Sequence, residues 1–133
     1  MPGPPYMGTD SRPRIQVNWT PSAGSSSRAI EFLIDTGATR SCIDLSDAIG
    51  MRLVGAVAVR GVSAAPSQFL VFGGGQMEFD AEDRATKVPV PVKHTGDVLV
   101  TSQHLIGQDV FSCHRLAMNM DYSAAPPTVR LEQ

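Results

Sequence analysis

Apolar and polar residues alternate along several short segments of this chain. Ile15, Val17 and Trp19 are separated by the polar residues Gln16 and Asn18, which is the period-two pattern of a strand with one buried face. Glycine and proline residues recur between such segments and limit them to strand length. The pattern predicts an all-β protein. Strands are expected near residues 13–19, 29–34, 40–44, 53–60, 67–72, 77–80, 87–92, 97–100, 116–122 and 128–131.

A few segments depart from simple alternation. Residues 45–50 are predicted to form a short helical turn, and residues 108–114 the one helix of the chain. The glycine triplet at 73–75 is not followed by Lys-Ser/Thr or a helix start, so we predict a turn rather than a phosphate-binding loop. Residues 88–92 read Val-Pro-Val-Pro-Val. Because proline cannot donate ladder hydrogen bonds, this strand should lie at a sheet edge.

Length and composition indicate one ordinary globular domain. With 133 residues the chain can build one modest core; residues 13–133 should form this domain and residues 1–12, rich in Pro and Gly, a flexible lead. A charged fraction of 18% and a net charge of −2 give no bias toward nucleic acid or membrane. No apolar run approaches the roughly 18 residues of a membrane span. The N-terminus lacks the features of a signal peptide, so we do not expect secretion.

Cysteine and histidine residues do not suggest a metal site. Cys42 and Cys113 are too few for a disulfide framework. His94, His104, Cys113 and His114 lack paired ligand spacing such as Cys-x-x-Cys. Scattered surface histidines are the interpretation that this spacing favours. We therefore expect neither a metal nor another cofactor.

The most informative segment is an apolar strand that ends at a carboxylate. Residues 32–34 (Phe-Leu-Ile) lead directly into Asp35, Thr36 and Gly37. Moving an ionised carboxylate out of water costs on the order of several kcal/mol unless it is hydrogen-bonded or shares a proton. A second apolar-apolar-Gly element, Leu-Ile-Gly at 105–107, ends 72 residues after Asp35. An apolar strand that ends at a carboxylate therefore indicates a residue that is held there for chemistry.

On these two motifs, and with a strand that begins at Pro13, the chain from residue 13 onward resembles the retropepsins. These are the single-domain aspartic proteases of retroviruses and retrotransposons, and the order of elements looks most like that of gammaretroviral and related viral enzymes. The resemblance implies a closed barrel with one short C-terminal helix, active as a C2 homodimer. Only Asp35 is followed by Thr-Gly or Ser-Gly, so the second catalytic aspartate must come from a second copy across the axis.

The resemblance also assigns roles by position. Asp35 is the expected catalytic residue, and the Thr36 hydroxyl should bond across the axis to the partner chain. Gly37 should leave room for water and substrate. Contacts to substrate are expected at Gly37, Ala38, Thr39, Cys42, Gly61, Val62, Ser63, Leu105 and Ile106.

Several of these positions have a second interpretation. Residues 61–63 are expected at the tip of a flap that closes over substrate, carried by the hairpin arm of residues 53–60 and 67–72, but an ordinary hairpin turn is the alternative. Core packing would explain Leu105 and Ile106 equally well. For Cys42, a buried structural thiol is as good an explanation as a substrate contact.

The implied reaction is hydrolysis of a peptide bond in an extended polypeptide. Two carboxylates about 3 Å apart cannot both ionise, so one can activate water while the other, protonated, hydrogen-bonds the oxyanion. A viral enzyme would process its own polyprotein in the virion or host cytoplasm. A cellular retropepsin that cuts regulatory proteins, and a silent dimerising or peptide-binding domain of the same fold, remain as alternatives.

The sequence also departs from the viral pattern at the expected dimer contacts. Thr39 and Gln108 stand where viral enzymes often have Asp or Gln, and Arg, respectively. The intersubunit ion pair of some relatives is therefore not expected. The C-terminal residues do not match the terminal strands of the best-known viral proteases, and we expect the hairpin of residues 116–131 to contribute to dimerisation instead.

Overall fold

The computed structural model of the protein describes residues 3–60 and 66–133, and more than half of these residues lie in strands. The strands in this part are β1 (Tyr6–Met7), β2 (Pro13–Thr20), β3 (Arg28–Ile34), β4 (Cys42–Asp44), β5 (Arg52–Arg60), β6 (Pro66–Glu82), β7 (Pro89–Thr101), β8 (Leu105–Ile106), β9 (Ala117–Asp121) and β10 (Thr128–Glu132). A 3₁₀ turn, Leu45–Ala48, follows β4, and helix α1, Gln108–His114, follows β8. The predicted all-β class, the helical turn and the short helix are confirmed. No helix in the described ranges is long and apolar enough to cross a membrane.

Six strands form a closed barrel. Their order is β2, β3, β8, β4, β7 and β6, and β6 pairs again with β2. The short strand β8 lies between β3, to which it is parallel, and β4, to which it is antiparallel. In this arrangement Ile34 pairs with Ile106. The residues that follow β3 and β8 therefore leave the barrel side by side.

The barrel interior is filled by the alternating apolar positions that the sequence indicates. Ile15, Val17 and Trp19 are at most 1% exposed, and burial of each side chain contributes about 1.5–3 kcal/mol. The indole N–H of Trp19 donates to the carbonyl of Asp47 at 3.0 Å, which satisfies its one polar atom. The core continues through Phe32, Ile34, Ile43, Met77, Phe79, Val92, Val98, Ile106, Val110 and Leu131.

The prediction of a turn at the glycine triplet is wrong. Strand β6 runs through residues 73–75, and its register against β7 shifts between Phe72 and Gly75, which marks a bulge. Gly74 has a φ of +90°, a conformation that side chains disfavour. A Cβ on Gly75 would overlap the ring of Trp19. The triplet thus lets one long strand bend around the buried indole.

The proline-rich half of β7 occupies an edge, as predicted. From Pro89 to Val92 this strand pairs with β6, whereas β4 joins β7 only at Leu99–Thr101. Among the described residues, the proline-containing half therefore has a neighbouring strand on one side only. A strand edge of this kind tolerates proline, which has no N–H to donate.

Segments near both ends of the described chain contact the barrel. Within the segment expected to be a lead, Tyr6 and Met7 pair with the start of β2. At the other end, β9 and β10 form an antiparallel hairpin, and β10 joins β6 through one parallel pair. Val129 and Leu131 of this hairpin are buried against the chain's own core. If the hairpin contributes to dimerisation, it would do so through its other face.

A buried carboxylate, Asp47, links the 3₁₀ turn to the barrel. Asp47 is 5% exposed, accepts a hydrogen bond from Nε2 of His104 at 2.6 Å and forms an ion pair with Arg28. Burial lowers the pKa of His104, so Arg28 supplies the permanent positive charge. Sequence reasoning missed this group, because its three members come from distant segments.

Removing the Asp47 carboxylate should destabilise the fold. Asp47→Ala leaves the partly buried His104 without its acceptor, whereas the exposed Arg28 can be solvated. We therefore expect the free energy of unfolding to fall by about 2 kcal/mol. Urea denaturation followed by tryptophan fluorescence measures this change. Asp80→Ala, in which a partly exposed carboxylate of β6 is lost, is the control and should change the stability by less than about 0.5 kcal/mol. An equal effect of the two substitutions would contradict a structural role for the Asp47 pair.

Candidate active site

Asp35 lies where β3 ends, half-buried at the start of a tight turn. Its amide donates to the carbonyl of Ile106 at 3.0 Å, and its Oδ1 accepts from the amide of Gly37 at 3.0 Å. The amide of Ala38 donates back to the Asp35 carbonyl at 3.2 Å. The backbone of Asp35 is therefore held on both sides, and its carboxylate is oriented by one hydrogen bond, from the Gly37 amide.

The first residue of α1 holds the far side of this turn. The amide of Gln108 donates to the carbonyl of Ala38 at 2.8 Å, and its side-chain Nε2 donates to the carbonyl of Thr36 at 2.7 Å. The position at which some viral enzymes carry Arg thus binds the loop within its own chain. The Asp-Thr-Gly and Leu-Ile-Gly segments therefore lie side by side.

Ser41 and Asp109 complete the support, and sequence reasoning missed both. Ser41 is 1% exposed; its amide and hydroxyl donate to the two carboxylate oxygens of Asp109 at 3.0 and 2.8 Å. The Ser41 Oγ also accepts from the amide of Gly107 at 3.0 Å. A Cβ on Gly107 would lie 2.8 Å from the carbonyl oxygens of Ala38 and Arg40. Glycine is therefore required where β8 passes behind the loop.

The outer surface of the turn is open to solvent in the single chain. Thr36, Gly37 and Thr39 are exposed, and Ala38 is half-buried. A Cβ on Gly37 would lie 3.3 Å from Oδ1 of Asp35, so any larger residue would crowd the carboxylate. These exposed positions are available to a second chain and to substrate.

A second, smaller apolar cluster lies beside the turn. Cys42, Val71 and Leu99 are buried in it, and Val57, Phe69 and Leu105 pack against them. Burial raises the pKa of the Cys42 thiol, and the charges of Asp109 and Asp35 raise it further, against a hydrogen bond from Thr101. The thiol is therefore neutral at neutral pH. Its burial favours a packing role within one chain.

The remaining predicted substrate positions differ in what the structure places there. Leu105 is half-buried beside Cys42. Ile106 is 0% exposed and belongs to the main core, so packing accounts for it. The predicted hairpin arm is confirmed by the antiparallel pairing of β5 with β6. Its expected tip, Gly61, Val62 and Ser63, lies outside the described residues.

The interpretation of the histidines as scattered surface residues is wrong: His104 binds the buried Asp47 carboxylate, and the other two contact each other. Nδ1 of His94 and Nε2 of His114 lie 3.0 Å apart, and His94 is only 9% exposed. Cys113 lies beside them. In the folded barrel, His94 of β7 contacts His114 at the end of α1. The spacing of these residues along the chain does not reveal this contact.

The comparisons with known proteins assign no family. Neither the family models nor the curated proteins include a match to this chain. The interpretation of the site therefore depends on the Asp-Thr-Gly and Leu-Ile-Gly segments and on the contacts between them.

Proposed function

We propose that this protein is an aspartic endopeptidase whose active unit is a homodimer. The observation that carries the proposal is the position of Asp35. Its carboxylate is half-buried at the end of a core strand, is oriented by the Gly37 amide at 3.0 Å, and is supported from behind by the Gly107–Gln108 segment. A loop so heavily braced on its inner side is suited to hold a reactive group in one geometry.

We propose a dimer because the reaction needs two carboxyl groups, one ionised and one protonated. One carboxylate cannot act as base toward water and, at the same time, as acid toward the carbonyl oxygen. The chain contributes one Asp-Thr-Gly segment, and the exposed Thr36 and Gly37 allow the same segment of a second copy to approach. An isologous interface brings equivalent residues together at the axis. Asp35 from each chain would then share one proton.

The proposed reaction is a direct hydrolysis. The ionised Asp35 removes a proton from a bound water, whose oxygen forms a bond to the scissile carbonyl carbon. The protonated Asp35 of the second copy hydrogen-bonds the oxyanion as it forms. Proton transfer to the amide nitrogen then allows the C–N bond to break, which releases a carboxylic acid and an amine. Because one carboxyl must be charged and the other neutral, the rate should be greatest on the acid side of neutral.

The proposed substrate is an extended polypeptide. Leu105 of β8 and the arm residues Val57 and Phe69 are partly buried apolar side chains of one cluster, and they would accept apolar side chains of the substrate. For a viral gene, the substrate would be the polyprotein that contains the chain. For a cellular gene, it would be a small set of regulatory proteins.

A peptide library tests the proposal. The purified dimer is incubated with a mixed library at about pH 5, where one shared proton is expected, with and without a hydroxyl-containing transition-state analogue of aspartic proteases. We expect a limited set of internal cleavages that the analogue prevents. Absence of cleavage by a folded, dimeric protein would argue against the enzyme and in favour of a peptide-binding domain. Cleavage that the analogue leaves unchanged would indicate a contaminating protease.

A further inference from the structure

A cluster of three potential metal ligands joins the barrel to the end of α1. His94 lies in β7, and Cys113 and His114 are the last two residues of the helix. One side-chain ligand atom of each lies within 4.8 Å of the other two. The cluster is remote in sequence from Asp35 and takes no part in the proposed hydrolysis.

The spacing of the ligand atoms is close to that of a tetrahedral metal site. In such sites Zn–N distances of about 2.0–2.1 Å place two ligand nitrogens about 3.3 Å apart. The nitrogens of His94 and His114 are 3.0 Å apart, and their rings are inclined at 75°. Small rotations would therefore direct both nitrogens and the Cys113 sulfur at one ion.

The surroundings favour neutral imidazole and allow an ion to enter. Burial lowers the pKa of His94, and the neighbouring His114 lowers it further, against the Asp109 carboxylate. A Cβ on Gly96 would lie 2.8 Å from Nε2 of His94, so glycine leaves room for the ring. Cys113 is exposed and opens the cluster to solvent.

The backbone near the cluster is also fixed. The side-chain amide of Gln133 donates to the carbonyl of His114 at 3.2 Å. Arg115 then ends α1 in a left-handed conformation, with φ +54°. Lys93, which precedes His94 in β7, pairs with Glu78 of β6 at 3.5 Å. The cluster is thus a defined site whose ligands are held by two separate elements.

We propose that His94, Cys113 and His114 bind one divalent transition metal ion of the zinc class. Two imidazole nitrogens and one thiolate suit zinc or cobalt, whereas magnesium and calcium require oxygen ligands. The Cys113 thiol releases its proton to solvent when the metal–sulfur bond forms. Three protein ligands leave a fourth position for water or for a ligand from another molecule.

The site would clamp α1 against the barrel. The opposite end of the same helix binds the active-site turn through Gln108 and Asp109. A metal that binds only the folded chain stabilises it by mass action. We therefore expect zinc to raise the thermal stability of the protein, whether or not the protein cleaves peptides.

Titration of the full-length, reduced protein with Zn²⁺ and with Co²⁺ tests the proposal. We expect one equivalent of each ion per chain in calorimetry, and a near-ultraviolet thiolate-to-metal charge-transfer band with Co²⁺. Cys113→Ser and His114→Gln should each weaken binding by about 100-fold or more and remove the rise in Tm with zinc. Cys42→Ser and His104→Gln are matched controls, because they remove the other cysteine and the remaining histidine, and should bind as the wild type does.

Alkylation provides a second measurement that needs no variant. Zinc should protect Cys113 from iodoacetamide in the wild-type protein, as judged by mass spectrometry of its peptide, and leave the slow labelling of the buried Cys42 unchanged. The proposal is overturned if the folded wild type binds no stoichiometric metal, or if zinc does not protect Cys113. It is also overturned if the double variant Cys113→Ser/His114→Gln binds as tightly as the wild type.

Discussion

Replacing Asp35 by Asn is expected to lower kcat/KM for peptide cleavage by about 10⁴-fold, because the base that activates water is lost. The substitution is nearly isosteric, and Oδ1 of Asn can still accept from the Gly37 amide, a bond that measures 3.0 Å with Asp35. Stability and oligomeric state should therefore change little. Initial rates on a peptide identified from the library measure kcat/KM. A thermal melt measures the stability, and size-exclusion chromatography the oligomeric state.

The matched control for this substitution is Asp80→Asn, which removes a carboxylate from β6, away from the turn. Its kcat/KM should remain within about twofold of the wild type. If Asp35→Asn retained activity within about tenfold of the wild type, the catalytic carboxylate would have to be another one. The proposed mechanism would then be wrong.

Gly107→Ala should damage both stability and activity. The added methyl group would lie 2.8 Å from the carbonyl oxygens of Ala38 and Arg40. Both atoms belong to the backbone of the active-site loop, so the loop must move. We expect the free energy of unfolding to fall by about 2–3 kcal/mol and kcat to fall by about 100-fold, since displacements of about 1 Å cost that much.

Urea denaturation and steady-state kinetics measure the two effects of Gly107→Ala. Gly55→Ala is the control for stability, because a Cβ on Gly55 meets no atom within 4 Å. The control should change the free energy of unfolding by less than about 0.5 kcal/mol. An unaltered stability of Gly107→Ala would mean that the loop does not depend on the close approach of β8.

The sequence predicts those parts of the fold that local pattern determines. The alternation at Ile15, Val17 and Trp19 corresponds to a fully buried strand face, and the helix at Gln108–His114 agrees in both its ends. The glycine triplet at 73–75 misleads because turns and bulges demand the same residue, for the same reason of backbone freedom. The bulge is evident only in the folded chain, where Gly75 lies against the ring of Trp19 and Gly73 against Asp97 and Val54, all distant in sequence.

In the candidate site too, local motifs can be predicted from the sequence, whereas long-range contacts cannot. The residues Asp35, Thr36 and Gly37 form a contiguous motif and can be recognised without a structure. Their support by Ser41 and Asp109 depends on a contact between residues 68 positions apart. The cluster of His94 and His114 likewise depends on barrel closure. Long-range contacts between single polar residues leave no periodic signal in the sequence.

Mixing two kinds of subunit tests most directly the claim that one active site takes one Asp35 from each of two chains. Wild-type and Asp35→Asn proteins are equilibrated at constant total concentration, and initial rates are measured across mixing ratios. The account predicts that activity follows the square of the wild-type fraction, so that an equal mixture retains about one quarter of the wild-type rate. A linear decline, with about one half retained in the equal mixture, would place a complete site in each chain and contradict the shared dyad.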